Sequence, residues 1–283
     1  MEKPASPEYK TPEHYEPRVT GTDPKTGQPI TYDHKPRVEV VDAKAGKYAF
    51  KWIGFDGLEK TATFYRVDAV DVLVSASVVK LLPDHYQYTY EVKNLPSSGT
   101  YLKRFIIQTF AADVRQAYGG EFWGGLMSKD IKAYSEGTWI DFADVSDHVQ
   151  INPGQSVTIQ FTSAGPPGLV ESRAGAESEV ESADEDMPGD LAPVLGGYGE
   201  YLHGWTIGPV DELKSFSPAE KTKYLLDKLP QFRKIGWMTD EAFNRYEQRL
   251  KNGDLNAISA RIDEDLKTEQ ITSEVFAIVQ AMK

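Results

Sequence analysis

Apolar residues recur with a period of two between residues 37 and 173, and with a period of 3.6 from residue 217 onward. Side chains alternate across a strand and return to one helix face after three or four residues. The chain is therefore predicted to be β-rich first and helical last. Tyr48, Phe50 and Trp52 share one strand face, with Ala49, Lys51 and Ile53 on the other. Phe55-Asp56-Gly57-Leu58 supplies a hairpin turn, because Asp-Gly tolerates positive φ. Val70, Val72, Val74, Ala76 and Val78 alternate next, with Leu73 and Val79 opposite, so both faces of that strand are predicted to be partly covered. Tyr86, Tyr88, Tyr90 and Val92 alternate with Gln87, Thr89, Glu91 and Lys93, the cleanest half-buried pattern in the chain. Asn94-Leu95-Pro96-Ser97-Ser98-Gly99 turns the chain and Leu102–Phe110 returns it; Val157, Ile159 and Phe161 mark a late strand after Asn152-Pro153-Gly154-Gln155. Roughly seven to nine strands of this kind, without a βαβ rhythm, predict an antiparallel immunoglobulin-like β-sandwich over residues 37–173.

Ser217-Pro218-Ala219-Glu220 opens the helical part with an N-cap, a proline at the first helical position and the glutamate of a capping box. Pro230 is expected to end or kink that helix. Thr239-Asp240-Glu241 starts a second, carrying Phe243, Tyr246 and Leu250, and Asn252-Gly253-Asp254 breaks it. Leu255, Ile258, Ile262 and Leu266 stripe a third helix, and Val275, Phe276, Val279 and Met282 a fourth. Short amphipathic helices of this kind predict a small C-terminal helical bundle over residues 214–283, its stripes read as core.

Two segments fit neither period. Residues 1–36 hold seven of the seventeen prolines and read as an extended arm. Ile30 and Tyr32 permit the alternative of a strap lying on the domain, and Asp23-Pro24-Lys25-Thr26-Gly27 has turn chemistry. Residues 174–213 contain ten acidic side chains and no Lys or Arg. They account for −10 of the net charge of −12 and leave −2 for the rest. This stretch reads as an acidic, Gly-rich linker or excursion, because Glu177–Asp190 has too little apolar surface to offset its ordering entropy. Leu191–Pro209 recovers aromatic and apolar residues that can rejoin the sheets. A nucleic-acid partner is disfavoured, since counterion displacement needs clustered Lys and Arg. No run of eighteen apolar residues predicts membrane insertion. Met1-Glu2-Lys3-Pro4 carries no apolar signal sequence.

Candidate chemistry is sparse. The absence of cysteine excludes disulfides and thiolate chemistry. His14, His34, His85, His148 and His203 show no helical metal spacing, and no nucleophile elbow, phosphate loop or His-Glu-x-x-His is present. No cofactor is expected. Asp141, Asp144 and Asp147 form the one candidate Ca²⁺ set, in a stretch read as loop; their spacing matches no EF-hand, and solvated turn residues are the favoured reading. Tyr86, Tyr88, Tyr90, Trp123 and Trp139 are candidate ligand-binding aromatics, able to stack on sugar rings, although the tyrosine spacing also suits a core. Trp123 lies among Gly119, Gly120, Gly124 and Gly125 in an irregular stretch.

Tyr88-Thr-Tyr-Glu-Val-Lys-Asn-Leu-Pro-Ser-Ser, then Trp123, Trp139, Ile151-Asn-Pro-Gly-Gln-Ser-Val and Ser163-Ala-Gly-Pro-Pro-Gly168, resemble a group of uncharacterised exported bacterial β-sandwich proteins. The tail is similar to the FIMAH-like helical modules that follow such domains, on Ile207-Gly-Pro209, Leu225–Leu229, Gly236-Trp237 and Asn256-Ala257. The resemblance spans residues 37–283 and implies export and a non-catalytic surface role; it transfers no catalytic residue. The expected function is a non-enzymatic, extracytoplasmic or secreted binding or scaffolding module, with a protein or polysaccharide partner at a cell surface. A carbohydrate-binding module using the five aromatics is the alternative. A glycosidase is the third reading, and needs two carboxylates facing each other at about 5–9.5 Å.

Overall fold

The computed structural model describes residues 1, 13–82, 85–111, 115–119, 133–134, 137–143, 151–176, 187 and 201–283. Among them the chain forms antiparallel β-sheets followed by four C-terminal helices. The strands are β1 (Arg18–Thr22), β2 (Pro29–Tyr32), β3 (Arg37–Asp42), β4 (Lys47–Ile53), β5 (Glu59–Tyr65), β6 (Val72–Leu82) and β7 (His85–Asn94). They continue with β8 (Arg104–Thr109), β9 (Arg115–Gly119), β10 (Ala133–Tyr134), β11 (Gly137–Ala143), β12 (Ser156–Ser163), β13 (Pro167–Gly175) and β14 (Leu202–Pro209). The helices are α1 (Pro218–Lys234), α2 (Asp240–Lys251), α3 (Leu255–Lys267) and α4 (Ser273–Ala281).

The proline-rich arm contributes a hairpin, β1–β2, closed by the Asp23 turn, in which Asp23 Oδ1 accepts from the Lys25 N–H at 2.8 Å. The Tyr32 hydroxyl donates to the carbonyls of Ile53 and Gly54, so the strap alternative describes this part of the arm.

One expectation is corrected at β3–β5, which do not join the later sheets. They form a three-stranded sheet whose aromatic face carries its own core of Phe50, Trp52, Ala62 and Phe64, packed by Val38, Tyr48 and Met187. The Phe50 and Phe64 rings stack at 4.3 Å. The opposite face bears Arg37, Glu39, Lys51 and Glu59 in a ladder of ion pairs, and Lys51 followed by Arg37 holds the Glu39 carboxyl below its usual range. Period two alone cannot tell which sheet a strand joins.

The remaining strands form two sheets, ordered β6-β7-β12-β9 and β10-β11-β8-β13-β14, that face each other across one core. Tyr88 and Phe161 from the first sheet stack at 5.0 Å, and Tyr90 meets Phe105 of the second at 6.0 Å. Both tyrosine hydroxyls are satisfied inside, Tyr88 donating to the Gly165 carbonyl and Tyr90 to that of Ile207. Asn94, fully buried, donates from Nδ2 to the carbonyls of Thr100 and Ile151, which ties down the Asn94–Gly99 turn. Gly99 in that turn lies so close to Ala45 that a Cβ would come within 2.2 Å of the Ala45 carbonyl oxygen, so only glycine lets the β3–β4 turn pack there. Within the predicted linker, β13 runs on to Gly175 and β14 rejoins the sheet as its edge strand.

The helices begin as the capping pattern predicts: Ser217 Oγ accepts from the Glu220 N–H, and Glu220 accepts from the Ser217 N–H at 2.7 Å. Pro230 does not end α1, which continues to Lys234. Pro230 itself is exposed, while Leu225, Leu229 and Phe232 bury the opposite face. Packing of that stripe outweighs the one lost backbone bond.

An internal repeat organises the four helices. Lys234-Ile-Gly-Trp-Met-Thr-Asp-Glu-Ala-Phe243 matches Lys267-Thr-Glu-Gln-Ile-Thr-Ser-Glu-Val-Phe276 in Lys, Thr, Glu and Phe. Gly236 and Glu269, at equivalent positions, both have positive φ, and the equivalent Met238 and Ile271 pair in an antiparallel bridge between the loops. Each loop is closed by the same pair of bonds back to the preceding helix, as in a Schellman motif. Asp265 in α3 is fully buried and accepts from Arg245 of α2 at 2.8 Å and from Arg261 at 3.1 Å, locking the hairpins together.

The helices share one apolar cluster with the two large sheets, running from Val70 to Met282. α4 docks beside β6, where Oε1 of Glu274, only 7% exposed, accepts from the Ala76 backbone N–H at 3.0 Å. From α1, the Tyr224 hydroxyl accepts from the Leu169 N–H at 3.0 Å.

Glu274→Ala is expected to lower stability in urea denaturation by about 1–3 kcal/mol, since it strands the buried Ala76 N–H. Glu274→Gln, which keeps an acceptor oxygen, should lose less, and equal losses would contradict the bond's role. Glu269→Gly should raise stability by about 1 kcal/mol in the same assay, because glycine removes the left-handed strain; a decrease would show that the Glu269 side chain outweighs it.

Candidate functional site

β6 lies at the edge of its sheet, so its outward backbone groups need partners from outside the ladder. In an antiparallel pair, residues alternate between those that exchange both backbone bonds with the partner and those whose N–H and C=O point away. Ala76 donates to Glu274 rather than to β7, and the Val72 carbonyl accepts from the Met1 ammonium at 3.4 Å. The register Val74↔Val92, Ala76↔Tyr90, Val78↔Tyr88, Lys80↔Tyr86 is unbroken through this stretch. Val74, Val78 and Lys80 therefore also direct their backbone N–H and C=O groups outward. Glu274 is in the first turn of α4, where the helix dipole favours its charge.

Beyond Ala76, a cleft of about 510 Å³ opens between the strand and the helix. Ser77, Val78 and Lys80 form the strand wall, and Ser273, Phe276, Ala277, Gln280 and Ala281 the helix wall. Tyr86, Pro167 and Lys283 complete its lining. Lys80 Nζ sits 5.8 Å from the Tyr86 ring centroid, a cation–π contact that steadies both side chains. The volume is within the range of small-ligand sites, and the lining mixes apolar surface with lysines and hydroxyls. On the outer face of β6, Leu73, Val79 and Leu81 are all about half exposed or more. The strand therefore carries apolar residues on both faces, as its pattern predicts, but the outer row is open rather than partly covered.

The predicted aromatic set is scattered. Tyr88 and Tyr90 are fully buried, so the stacking platform is corrected: period two points these rings into the inter-sheet core, where their hydroxyls already have acceptors. Tyr86, at the end of the same row, reaches the cleft. Trp139 is half-buried on the outside of the other sheet, beneath the Arg173 guanidinium at 4.4 Å from the ring centroid. Trp123 falls outside the described residues. So do Asp144 and Asp147, whereas Asp141 lies within strand β11 opposite Ile106 and not in a loop. Among the described residues no three His, Asp or Glu side chains gather as a metal site, and no helix is long and apolar enough to cross a membrane.

Sequence reasoning missed the cleft because it treated the α4 stripe as the core of a separate bundle. The available signal was Glu274, an acid set immediately before the apolar run Val275-Phe276-Ala277-Ile278-Val279.

No protein-family model matches the chain, and no curated protein matches it significantly. The likeness to exported β-sandwich proteins therefore rests on its residues alone.

Burial pushes the Tyr224 phenol up to about 12 and the Tyr90 phenol well above its ordinary value. The unfolded phenol ionises near 10. The stability from these neutral phenols is therefore complete below about pH 10 and is lost as pH rises toward 12. Urea midpoints are expected to hold from neutral pH to about 10 and then fall. Tyr224→Phe should flatten that fall and lower stability at neutral pH, where the Leu169 N–H loses its acceptor; an unchanged alkaline slope would assign the fall to other groups.

Proposed function

We propose that this chain is a non-enzymatic binding or scaffolding module acting outside the cytoplasm, with the β6–α4 cleft as its binding site. The observation that supports it is the cleft itself, between an edge strand and a helix joined by the Glu274–Ala76 bond, lined by apolar side chains together with Lys80 and Lys283. Because the helices share the sheets' core, the cleft is built by the fold rather than by a hinge. The extracytoplasmic assignment draws on the resemblance to exported sandwich proteins.

The finer fold assignment belongs to the same proposal: an immunoglobulin-like β-sandwich joined to a small helical bundle. In the immunoglobulin order one sheet reads A-B-E-D, and the other contains C-F-G. Here β6-β7-β12-β9 takes the first order and β8-β13-β14 the second. The departure is that β9, at the D position, precedes β10 and β11 in the chain. Among the described residues the carbohydrate alternative keeps Tyr86 and Trp139, which stand on different sheets and so cannot form one stacking platform.

The test is a thermal-shift panel of soluble polysaccharides and of peptides selected from a displayed random library. It is run on the full chain and on Ala277→Trp, which fills the cleft. A ligand at 100 times its Kd stabilises by about 2.7 kcal/mol, and the shift is expected for the parent chain but not for Ala277→Trp. Equal shifts in both proteins would remove the cleft from the function, and a saccharide shift lost in Trp139→Ala would move it to the other sheet.

A further inference from the structure

The edge of β6 has a specific chemical requirement at the cleft. Val78 and Lys80 present backbone N–H and C=O groups outward, at the alternating spacing of a strand, and no described residue bonds to them. The two outward groups further up the strand that do have recorded partners, the Ala76 N–H and the Val72 carbonyl, meet a carboxylate and an ammonium. Spaced donors and acceptors along a strand edge are matched by another extended backbone, as in strand-addition complexes. A sugar or a compact small molecule does not reproduce that repeat.

The side chains narrow the choice. Residues of an added strand point alternately to either side. One side of the cleft offers Phe276, Ala277 and Tyr86, which suit small apolar side chains. Lys80, directly across from Tyr86 in the register, shares that side, and Lys283 also lines the cleft, with no carboxylate side chain among the lining residues. The neighbouring Glu274 is already engaged by the Ala76 N–H and by Ser273 Oγ. Acidic side chains on the partner meet the lysines, and basic ones meet like charge.

We infer that the β6–α4 cleft takes an extended peptide that adds as a strand to the edge of β6, with an apolar and an acidic residue two positions apart on its helix-facing side, the apolar one against Phe276 and Ala277 and the acidic one reaching Lys80. The inference rests on the binding-module reading above and names its ligand class. The bound strand continues the antiparallel sheet at Val78–Lys80 and stops where Glu274 occupies Ala76. Each added residue advances about 3.4 Å, so the cleft accommodates a few residues and the interaction is a short-motif one.

The probe is a fluorescein-labelled, amidated heptapeptide with threonine at odd positions and valine, glutamate and valine at positions 2, 4 and 6, measured by fluorescence anisotropy against the full chain. A second peptide of the same sequence carries N-methyl groups on alternate residues, in both possible phases. One methylated phase is expected to bind at least tenfold more weakly than the parent, because it loses the donors that face β6, and the other phase should bind nearly as well. Lys80→Glu should weaken the parent peptide at least tenfold and improve binding of the lysine-for-glutamate peptide. Val78→Pro should abolish binding with little loss of fold, since the Val78 N–H takes no part in the β6–β7 ladder and edge strands tolerate proline there. Ser77→Pro, which removes a ladder donor, is the destabilising control. Equal affinity of both methylated phases and the parent, or no measurable binding of the parent peptide, overturns strand addition. A ligand shift abolished by Ala277→Trp would in that case leave the broader cleft reading standing, so the two failures are distinguishable.

Discussion

The outward backbone groups of one edge strand govern how this protein is assembled. β6 cannot leave its Ala76 amide buried and unpaired without losing the full desolvation cost of that group. The chain supplies the acceptor from Glu274, 198 residues later. That bond holds α4 against β6, and Tyr224 of α1 ties the first hairpin to the sheets at Leu169. The apolar side chains of both parts then merge into one cluster, so the helices gain their burial from the sheets as much as from one another. Opening this contact exposes core on both sides, which couples the two parts in folding.

The helical repeat shows how context decides the role of a residue. Glu241 and Glu274 occupy equivalent positions after equivalent threonines. Glu241 is exposed and pairs with Arg245 one turn on, at 3.2 Å in high dielectric, where such a pair contributes little. Glu274 is buried and satisfies a strand. The left-handed position after α1 is glycine and the one after α3 is glutamate, so the second hairpin carries strain that the first avoids. The copy that docks on β6 is thus the one that departs from ideal loop chemistry, with its losses offset by packing there.

Much of the fold was readable along the chain. The Asp56-Gly57 turn, the Asn94–Gly99 turn, the Ser217 capping box and the strand rows of Tyr86–Val92 and Val157–Phe161 all depend on neighbours within a few residues, and each is found where its pattern places it. The errors share one cause. β3–β5 were assigned to the later sheets because alternation states that a strand has a buried face but not what buries it. Pro230 was expected to end or kink its helix because its missing donor is a local fact, whereas the packing of Leu225, Leu229 and Phe232 that carries the helix past it is not. Tyr88 and Tyr90 fitted a core better than a stacking platform, and the opposing sheet, with Phe105 in contact and the Ile207 carbonyl in reach, decided for the core.

The candidate site lies wholly on the tertiary side of that division. The sequence alone determined the order of strands and helices, the turns and caps between them, the concentration of charge in residues 174–213 and the lack of thiol chemistry, because composition, periodicity and capping act over short separations. Tertiary structure decided which strand became an edge, which glutamate closed part of it, and where the strand and helix stood far enough apart to leave a cleft beside Val78 and Lys80. Those outcomes depend on the pairing of segments nearly two hundred residues apart, whose mutual distance is set by the packing of the shared core and not by any local pattern.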